Sequence, residues 1–288
     1  MNSQELLPVV EQTIGKRIKH NQPLSGGSIS DTRLLETVCG AHFVLKTGSC
    51  ARTMFPGEAN GLKELAVTGT IRVPQVHAST QDFILLEYIK TGDEPRNFFN
   101  DFGEKLAELH QHEHKLFGYH ENNFIGATPQ INRGTDSESQ DWSNFFFNKR
   151  LLYQFKRAEE NGYATAELRK LFANIESKVD RILQTPDAKP VLLHGDLWSG
   201  NFLCDENGNP CLIDPAVYYG HRETDLAMTR LFGGFAPDFY ASYASCYPLA
   251  EGWEYREGIY KLYHILNHLN LFGTGYYQQS LALMRLYL

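Results

Sequence analysis

The sequence predicts an α+β protein of two unequal lobes, a small one built on an antiparallel sheet and a larger, mainly helical one. Three observations carry this. Before about residue 88 the chain contains short alternating runs, of which His42-Phe-Val-Leu-Lys-Thr47 is the clearest, with the period of two that marks a half-buried strand. From about residue 92 the apolar residues recur at three or four, as Phe98, Phe99, Phe102, Leu106 and Leu109 do, which is the spacing of a helix face. With 288 residues the chain can form two compact units that share one cleft. The division expected is a first lobe over 1–88, a hinge at 89–91 and a second lobe over 92–288.

Taken in order, Met1-Asn-Ser-Gln-Glu-Leu-Leu-Pro8 reads as the start of an amphipathic helix, with Asn2 and Glu5 spaced as a capping pair. It lacks the charged-then-apolar pattern of a signal peptide. Leu24-Ser-Gly-Gly-Ser-Ile-Ser30 is a loop whose paired glycines let backbone amides approach an anion. After the strand bearing Lys46, Pro56-Gly-Glu-Ala-Asn-Gly-Leu-Lys-Glu-Leu-Ala66 has helical apolar spacing at Leu62, Leu65 and Ala66 and carries Glu58. Asp82-Phe-Ile-Leu-Leu-Glu-Tyr-Ile89 is a buried-strand run that ends in polar Lys90-Thr-Gly-Asp93. The Phe98–Leu109 helix is core packing rather than an aromatic binding box. Gly134-Thr-Asp-Ser-Glu-Ser-Gln140 is expected to be an exposed loop. No internal repeat or long linker interrupts the chain.

The most informative stretch is Val191-Leu-Leu-His-Gly-Asp-Leu-Trp-Ser-Gly-Asn-Phe-Leu-Cys204 followed by Cys211-Leu-Ile-Asp-Pro215. Asn207-Gly208 is a two-residue turn signal, because both positions tolerate positive φ. Such a turn makes Leu203 face Leu212, Phe202 face Ile213 and Asn201 face Asp214, with facing Cβ atoms roughly 5 Å apart. Two hard oxygen donors then stand side by side, with Asp196 one loop away. Mg²⁺ takes a few such oxygens and fills its shell with water and substrate phosphates, so this is a phosphate-transfer site in outline.

His194-Gly-Asp196 with Asn201 and Asp214 resembles the catalytic core of the protein-kinase-like fold. The resemblance implies that Asp196 accepts the proton of the attacking hydroxyl and that Asn201 and Asp214 hold Mg²⁺. It implies that ATP lies between the lobes, its phosphates held by Gly26, Gly27 and Ser28 and by Lys46, which Glu58 braces. Backbone groups of Glu87, Tyr88 and Ile89 are then placed to meet an adenine edge. The glycine loop itself is neither G-x-G-x-x-G nor the Walker pattern.

The likeness narrows further. The run from His194 to Asn201, and Ile213-Asp-Pro-Ala-Val-Tyr-Tyr-Gly-His-Arg-Glu-Thr-Asp-Leu-Ala-Met228, is similar to the fructosamine kinase family, the ketosamine-3-kinases. Ala51–Glu58, Phe117–Gln130 and Asp141–Phe146 add to it, and the likeness runs from the glycine loop to about Phe272. It implies ATP-dependent phosphorylation of a sugar hydroxyl on a ketoamine, such as a ribulosamine, erythrulosamine or fructosamine, whose phosphorylated adduct is less stable, a protein deglycation activity. The amine is that of a small molecule or of a glycated lysine on a protein. Trp198 stands where protein kinases have a lysine, so charge neutralisation shifts to the metal and Lys46, and its indole becomes a wall for the sugar. Tyr218, Tyr219 and His221 are expected to complete that pocket, with Glu223 facing the substrate amine; the alternative is that the two tyrosines pack the larger lobe.

Other readings are excluded or ranked lower. Net charge is −7 with no dense basic run, which argues against nucleic acid as a partner. No apolar run approaches the roughly 20 residues that cross a bilayer. The five cysteines, Cys39, Cys50, Cys204, Cys211 and Cys246, show no CxxC spacing and fit reduced cytoplasmic thiols. Although Cys204 and Cys211 face each other in the expected hairpin, a disulfide is not expected in that wide spacing. His110, His112 and His114 do not make a metal site, since i, i+2 residues splay apart on a helix, and His110 is read as packed. Asp225 is expected to cap a helix or hold the catalytic-loop backbone, a reading ranked above its binding an amine. Because phosphoryl transfer is largely dissociative, Asp196 is not expected to need a raised pKa. The alternatives are a kinase of another small hydroxylated amine, such as an aminoglycoside or choline, and an inactive nucleotide-binding scaffold. The intact set of Lys46, Glu58, Asp196, Asn201 and Asp214 argues against the scaffold.

Overall fold

The computed structural model describes residues 3–24, 30–48, 52–186 and 188–288, with only the backbone of residues 3 and 4. Helix α1 (Ser3–Ile14) leads into strands β1 (Ile18–Pro23), β2 (Asp31–Thr37) and β3 (His42–Thr47), helix α2 (Met54–Thr68), and strands β4 (Val76–Ser79) and β5 (Phe83–Glu87). The strands form one antiparallel sheet in the order β1-β2-β3-β5-β4. Successive strand residues point to opposite faces, and both faces of this sheet are covered. Phe43, Leu45, Phe83 and Leu85 pack with Leu35 against Leu6 and Val10 of α1. Val44, Ile84 and Leu86 point the other way, onto Phe55, Ala59 and Leu62 of α2. Lys46 lies two residues after Val44 and therefore faces α2. Its placement follows from the strand period alone.

The rest of the chain is mainly helical: α3 (Phe98–Leu109), the ribbon β6 (Asn123–Ile125) and β7 (Thr128–Gln130), α4 (Asp136–Gln140), α5 (Trp142–Phe146), a π-helical turn over Phe147–Leu151, α6 (Leu152–Glu160), α7 (Ala166–Glu176) and α8 (Val179–Leu183). Then come β8 (Val191–Leu193), β9 (Phe202–Cys204), β10 (Pro210–Leu212), β11 (Tyr218–Gly220), α9 (Glu223–Thr229), α10 (Pro237–Cys246), α11 (Trp253–Phe272) and α12 (Tyr277–Arg285). Helix α11 is buried through most of its length, with Ile259, Leu262, Tyr263, Ile265, Leu266 and Leu269 all in the core. In α3, Phe98 and Phe102 pack with Phe202, and Phe102 also meets Phe235 and Phe239, at ring separations of 5.2–5.9 Å. These aromatics are core, as their spacing predicts.

Two expectations change. Residues 134–140 are not a plain loop: Thr135 accepts the Glu138 N–H while the Glu138 carboxylate takes the Thr135 N–H, and this capping box starts α4. Ala66 is exposed, whereas Leu62 and Leu65 are buried as expected, and the stripe toward the sheet continues through Phe55 and Ala59. Asn2 lies outside the described residues. His110 is fully buried, while His112 and His114 are exposed.

Candidate active site

The β9–β10 hairpin differs from its expected register by one residue. Asp205 N–H donates to Asn209 O and Gly208 N–H to Asp205 O, each at 2.9 Å, so the loop holds three residues, Glu206, Asn207 and Gly208. The Asp205 side chain imposes this, because its Oδ1 takes the N–H groups of both Asn207 and Asn209 at 2.9 Å. Only Gly208 then adopts positive φ, at 82°. Cys211 faces Leu203, Leu212 faces Phe202, and Ile213 N–H donates to Asn201 O at 3.1 Å. Asn201 is thus opposite Ile213, and Asp214 is one step beyond the ladder. Asp214 has φ 55°, the only positive value at a non-glycine among the described residues. This left-handed residue, not strand pairing, turns its carboxylate toward the cleft. Cys204 faces Pro210 rather than Cys211, and both are buried free thiols.

The preceding loop is held from below. Asp225 takes His194 N–H at 2.7 Å and Gly195 N–H at 2.8 Å, and lies 3.3 Å from His110 Nε2. That is the backbone-holding role expected of it. His194 Nδ1 accepts Asp196 N–H at 3.3 Å, which leaves Nε2 to donate to Ile213 O at 2.9 Å. Burial keeps this imidazole below its usual pKa, in keeping with a neutral ring. Gly195 has φ 84°, and a Cβ there would stand 2.0 Å from Ala216 O, so no larger residue fits between the two strands. Asn201 Nδ2 donates to Asp196 O at 2.8 Å and to its Oδ2 at 3.2 Å. Burial, with Asp214 adding negative charge, pushes the Asp196 carboxyl up to about 7 against the Asn201 hydrogen bond. The upward shift follows from the placement of Asp196 and leaves untouched the expectation that the chemistry does not need one.

Lys46, 7% exposed, contacts Glu58 Oε1 at 2.7 Å and Asp214 Oδ1 more closely still. Burial works to lower the Lys46 pKa, but the two carboxylates overcome it and raise it. Glu58 is raised, by burial first and by Asp214, against the pull of Lys46. One ammonium thus serves two carboxylates that would otherwise repel.

Gly26, Gly27 and Ser28 lie outside the described residues. Glu87 is largely committed within the fold. Its N–H donates to Gln75 O at 2.8 Å and its carboxylate takes Arg72 at 2.6 Å, so that amide is not free for an adenine edge. The Tyr88 ring lies 5.7 Å from His42, and Ile89 is buried. Arg72 also reaches Asp205 at 2.7 Å, which ties the end of β5 to the hairpin turn.

The five residues expected around the acceptor do not come together. Trp198 is 36% exposed on the loop that follows β8, its indole folded over Gly200, where a Cβ would be 2.4 Å from the ring. The others lie on or after β11, which pairs with β8 and runs beneath the loop rather than past its mouth. Tyr218 is fully buried, with the Arg150 guanidinium 4.0 Å over its ring. His221 is fully buried beside Trp142 and Tyr260. Glu223 is buried and gripped by Arg256 at 2.6 and 2.8 Å. Tyr219 points the opposite way from Tyr218, and its hydroxyl donates to Glu64 at 2.7 Å. Trp198 instead meets Phe232, ring centroids 6.0 Å apart, and Phe232 lies 4.9 Å from His268, which touches Phe272 and Tyr276. The sequence reading missed Phe232 and His268. The Gly-Gly bend after Phe232 was the one local signal, and His268 carried none.

A model of the fructosamine kinase family matches residues 3–288. The chain is 39% identical over 272 residues to a chloroplastic protein-ribulosamine 3-kinase of Arabidopsis thaliana, covering 92% of this chain and 81% of that one. Its fold is similar to the crystal structure of a "putative fructosamine-3-kinase" from Thermobifida fusca, with TM-score 0.89, 27% identity and 99% of each chain covered. An ADP-bound aminoglycoside phosphotransferase shares the fold at TM-score 0.65 and 16% identity, over the whole of both chains.

Proposed function

This chain belongs to the fructosamine kinase family, and from that premise we propose how its residues divide the work of phosphorylating a ketoamine. It is an ATP-dependent ketosamine kinase, a phosphotransferase acting on a sugar hydroxyl of a glycated amine. The observation that carries the reading is the convergence of Lys46, Glu58 and Asp214 beside the Asp196–Asn201 pair. The phosphates of ATP lie between the sheet lobe, 1–88, and the helical lobe, 92–288, against the Lys46 ammonium.

The donor set suits Mg²⁺. Asn201 commits its Nδ2 to Asp196, which leaves Oδ1 for a cation, and the Asp214 carboxylate is half exposed. Both are hard oxygens, and among the described residues no cluster of three His, Cys, Asp or Glu completes a shell, so phosphate and water oxygens supply the remainder. A bound Mg²⁺ neutralises charge developing on the transferred phosphoryl group. Asp196 orients the attacking hydroxyl and takes its proton late. Lys46 steadies the phosphates.

The acceptor site is reassigned to Trp198, Phe232 and His268. Apolar rings stack on sugar faces, and this row begins two residues from Asp196. The enzyme acts in the cytoplasm on small ketoamines and on glycated protein lysines, as a deglycation step. The free thiols of Cys39, Cys204, Cys211 and Cys246 support a reducing compartment, and among the described residues no helix is long and apolar enough to cross a membrane. Mass spectrometry of ribulose, erythrulose and fructose adducts of lysine, free and in a peptide, after incubation with ATP and Mg²⁺ tests the reading. A gain of one phosphoryl group on at least one adduct is expected; phosphorylation of an aminoglycoside or choline instead would replace it.

Substitutions separate the two pocket assignments. Trp198→Ala should raise the ketoamine KM about tenfold, the order of one ring-stacking contact, with ATP KM little changed. His221→Ala should lower the melting temperature and leave ketoamine KM unaltered, because His221 is core. A selective ketoamine KM defect in His221→Ala would restore the earlier pocket.

A further inference from the structure

Helix α2 carries two stripes. Phe55, Ala59 and Leu62 face the sheet, with Glu58 beside them under Lys46. The second stripe, Gly57, Asn60, Gly61 and Glu64, recurs at i, i+3, i+4 and i+7 and so shares one helix face. Every member of it meets residues beyond the hinge. A Cβ on Gly57 would stand 3.3 Å from Asn123 Cβ, and one on Gly61 would stand 3.2 Å from Val217 Cγ2 and 3.5 Å from Pro215 Cγ. Asn60 Nδ2 donates to Glu121 Oε1 at 2.9 Å. Glu64 receives two phenols, Tyr219 on Oε1 at 2.7 Å and Tyr119 on Oε2 at 3.1 Å. Burial, reinforced by Glu64, raises both phenol pKa values, so both hydroxyls keep the proton they donate. The Tyr219 ring is held in turn by stacking on His114 at 4.5 Å.

We propose that Glu64, Tyr119 and Tyr219 form a clasp that positions α2 from the helical lobe and thereby sets the Lys46–Glu58 ion pair. Glu58 and Glu64 are six residues apart on one helix, roughly 9 Å along its axis, so a shift at the clasp is carried to Glu58 as a rigid-body movement. The same face fixes the other carboxylate on Lys46. Pro215 and Val217 flank Asp214 on its C-terminal side, and their contact with Gly61 ties α2 to the segment that holds Asp214 in its left-handed conformation. Both partners of Lys46 are therefore referenced to one rigid contact. In this arrangement the ion pair needs no separate ordered segment to assemble it. The clasp rests on the kinase reading for the role of Lys46, but not on the identity of the acceptor.

The test is the Tyr119→Phe/Tyr219→Phe double variant, which keeps both rings and removes both hydroxyls, with Glu64→Gln as the conservative companion. ATP affinity by calorimetry, without acceptor, should weaken about fivefold. kcat should fall about ten- to a hundredfold, as expected when a reacting group is misplaced, with ketoamine KM within about twofold of wild type. Glu64→Gln, which retains one acceptor oxygen for a phenol, should lie between wild type and the double variant. On a Glu58→Gln background the phenol substitutions should cost clearly less than on wild type, because one of the two carboxylates that the clasp positions is already gone. A lower melting temperature with unchanged kcat and ATP affinity would reduce the clasp to ordinary packing, and fully additive losses on the Glu58→Gln background would also overturn it. If wild-type protein bound ATP yet phosphorylated no ketoamine, the acceptor assignment would fall while ATP affinity still decided the clasp.

Discussion

Asp196→Asn should lower kcat by about 10²–10⁴-fold, the range a positioned proton acceptor contributes, while ATP affinity stays within about twofold of wild type. The substitution is nearly isosteric. The Asn201 Nδ2 bond to the main-chain oxygen of residue 196 survives it, as do the bonds from Asp225 that hold the loop backbone. On the proposed mechanism, what disappears is the carboxylate that would take the hydroxyl proton and orient its oxygen. Because that contact would be to the acceptor rather than the nucleotide, the loss belongs in kcat. Steady-state kinetics with the best ketoamine and calorimetry with ATP measure the two sides. Near-wild-type kcat would remove Asp196 from this role. The raised pKa of Asp196 does not enter the expectation, since part of it comes from the charge of Asp214, which a bound cation would offset.

Some of this site could be read from the chain because short-range periodicity decided it. Lys46 shares the face of β3 that carries Val44, and α2 packs on that face, so a lysine there meets a helix glutamate. Asp225 was legible in kind, as a short acidic residue near a helix start with backbone amides to satisfy. The hairpin register was not. It turned on whether the Asp205 side chain captured two turn amides, a competition that Asn207-Gly208 by itself leaves undecided. The acceptor segment failed for a longer-range reason. Tyr218, His221 and Glu223 look like chemistry in the sequence, but pairing of β11 with β8 sends Tyr218 into the core, and Arg256, more than thirty residues away, consumes Glu223. Phe232 and His268 come together only because α11 brings His268 against the loop after α9, thirty-six residues along the chain from Phe232. The capping box at Thr135 and Glu138 was present in the sequence and was overlooked, which is a different kind of miss.

If Asp214 holds Mg²⁺ as proposed, Asp214→Asn should reduce kcat/KM for ATP by about 10²–10³-fold, the scale of losing a charged metal ligand, and should flatten the dependence of ATP binding on Mg²⁺. Asparagine is the informative replacement because it tolerates the left-handed φ of 55°, whereas alanine there adds roughly 1–2 kcal/mol of backbone cost. Stability should be kept, since Lys46 retains its contact with Glu58 and loses only the half-exposed partner. Lys46→Met should behave differently. It leaves Glu58 in a nearly buried position with no counter-charge, a change that costs about 3–5 kcal/mol when a buried pair is broken from one side. Its loss of activity would therefore mix poor folding with lost phosphate contact. Adding Glu58→Leu to Lys46→Met should recover much of the melting temperature and none of the activity, which separates the two roles of the lysine. Calorimetric titrations of ATP with and without Mg²⁺, beside thermal melts of all three proteins, distinguish these outcomes. If Asp214→Asn bound ATP with the wild-type response to Mg²⁺, the carboxylate turned into the cleft by that strained residue would be a partner of Lys46 alone, and the cation would have to sit elsewhere.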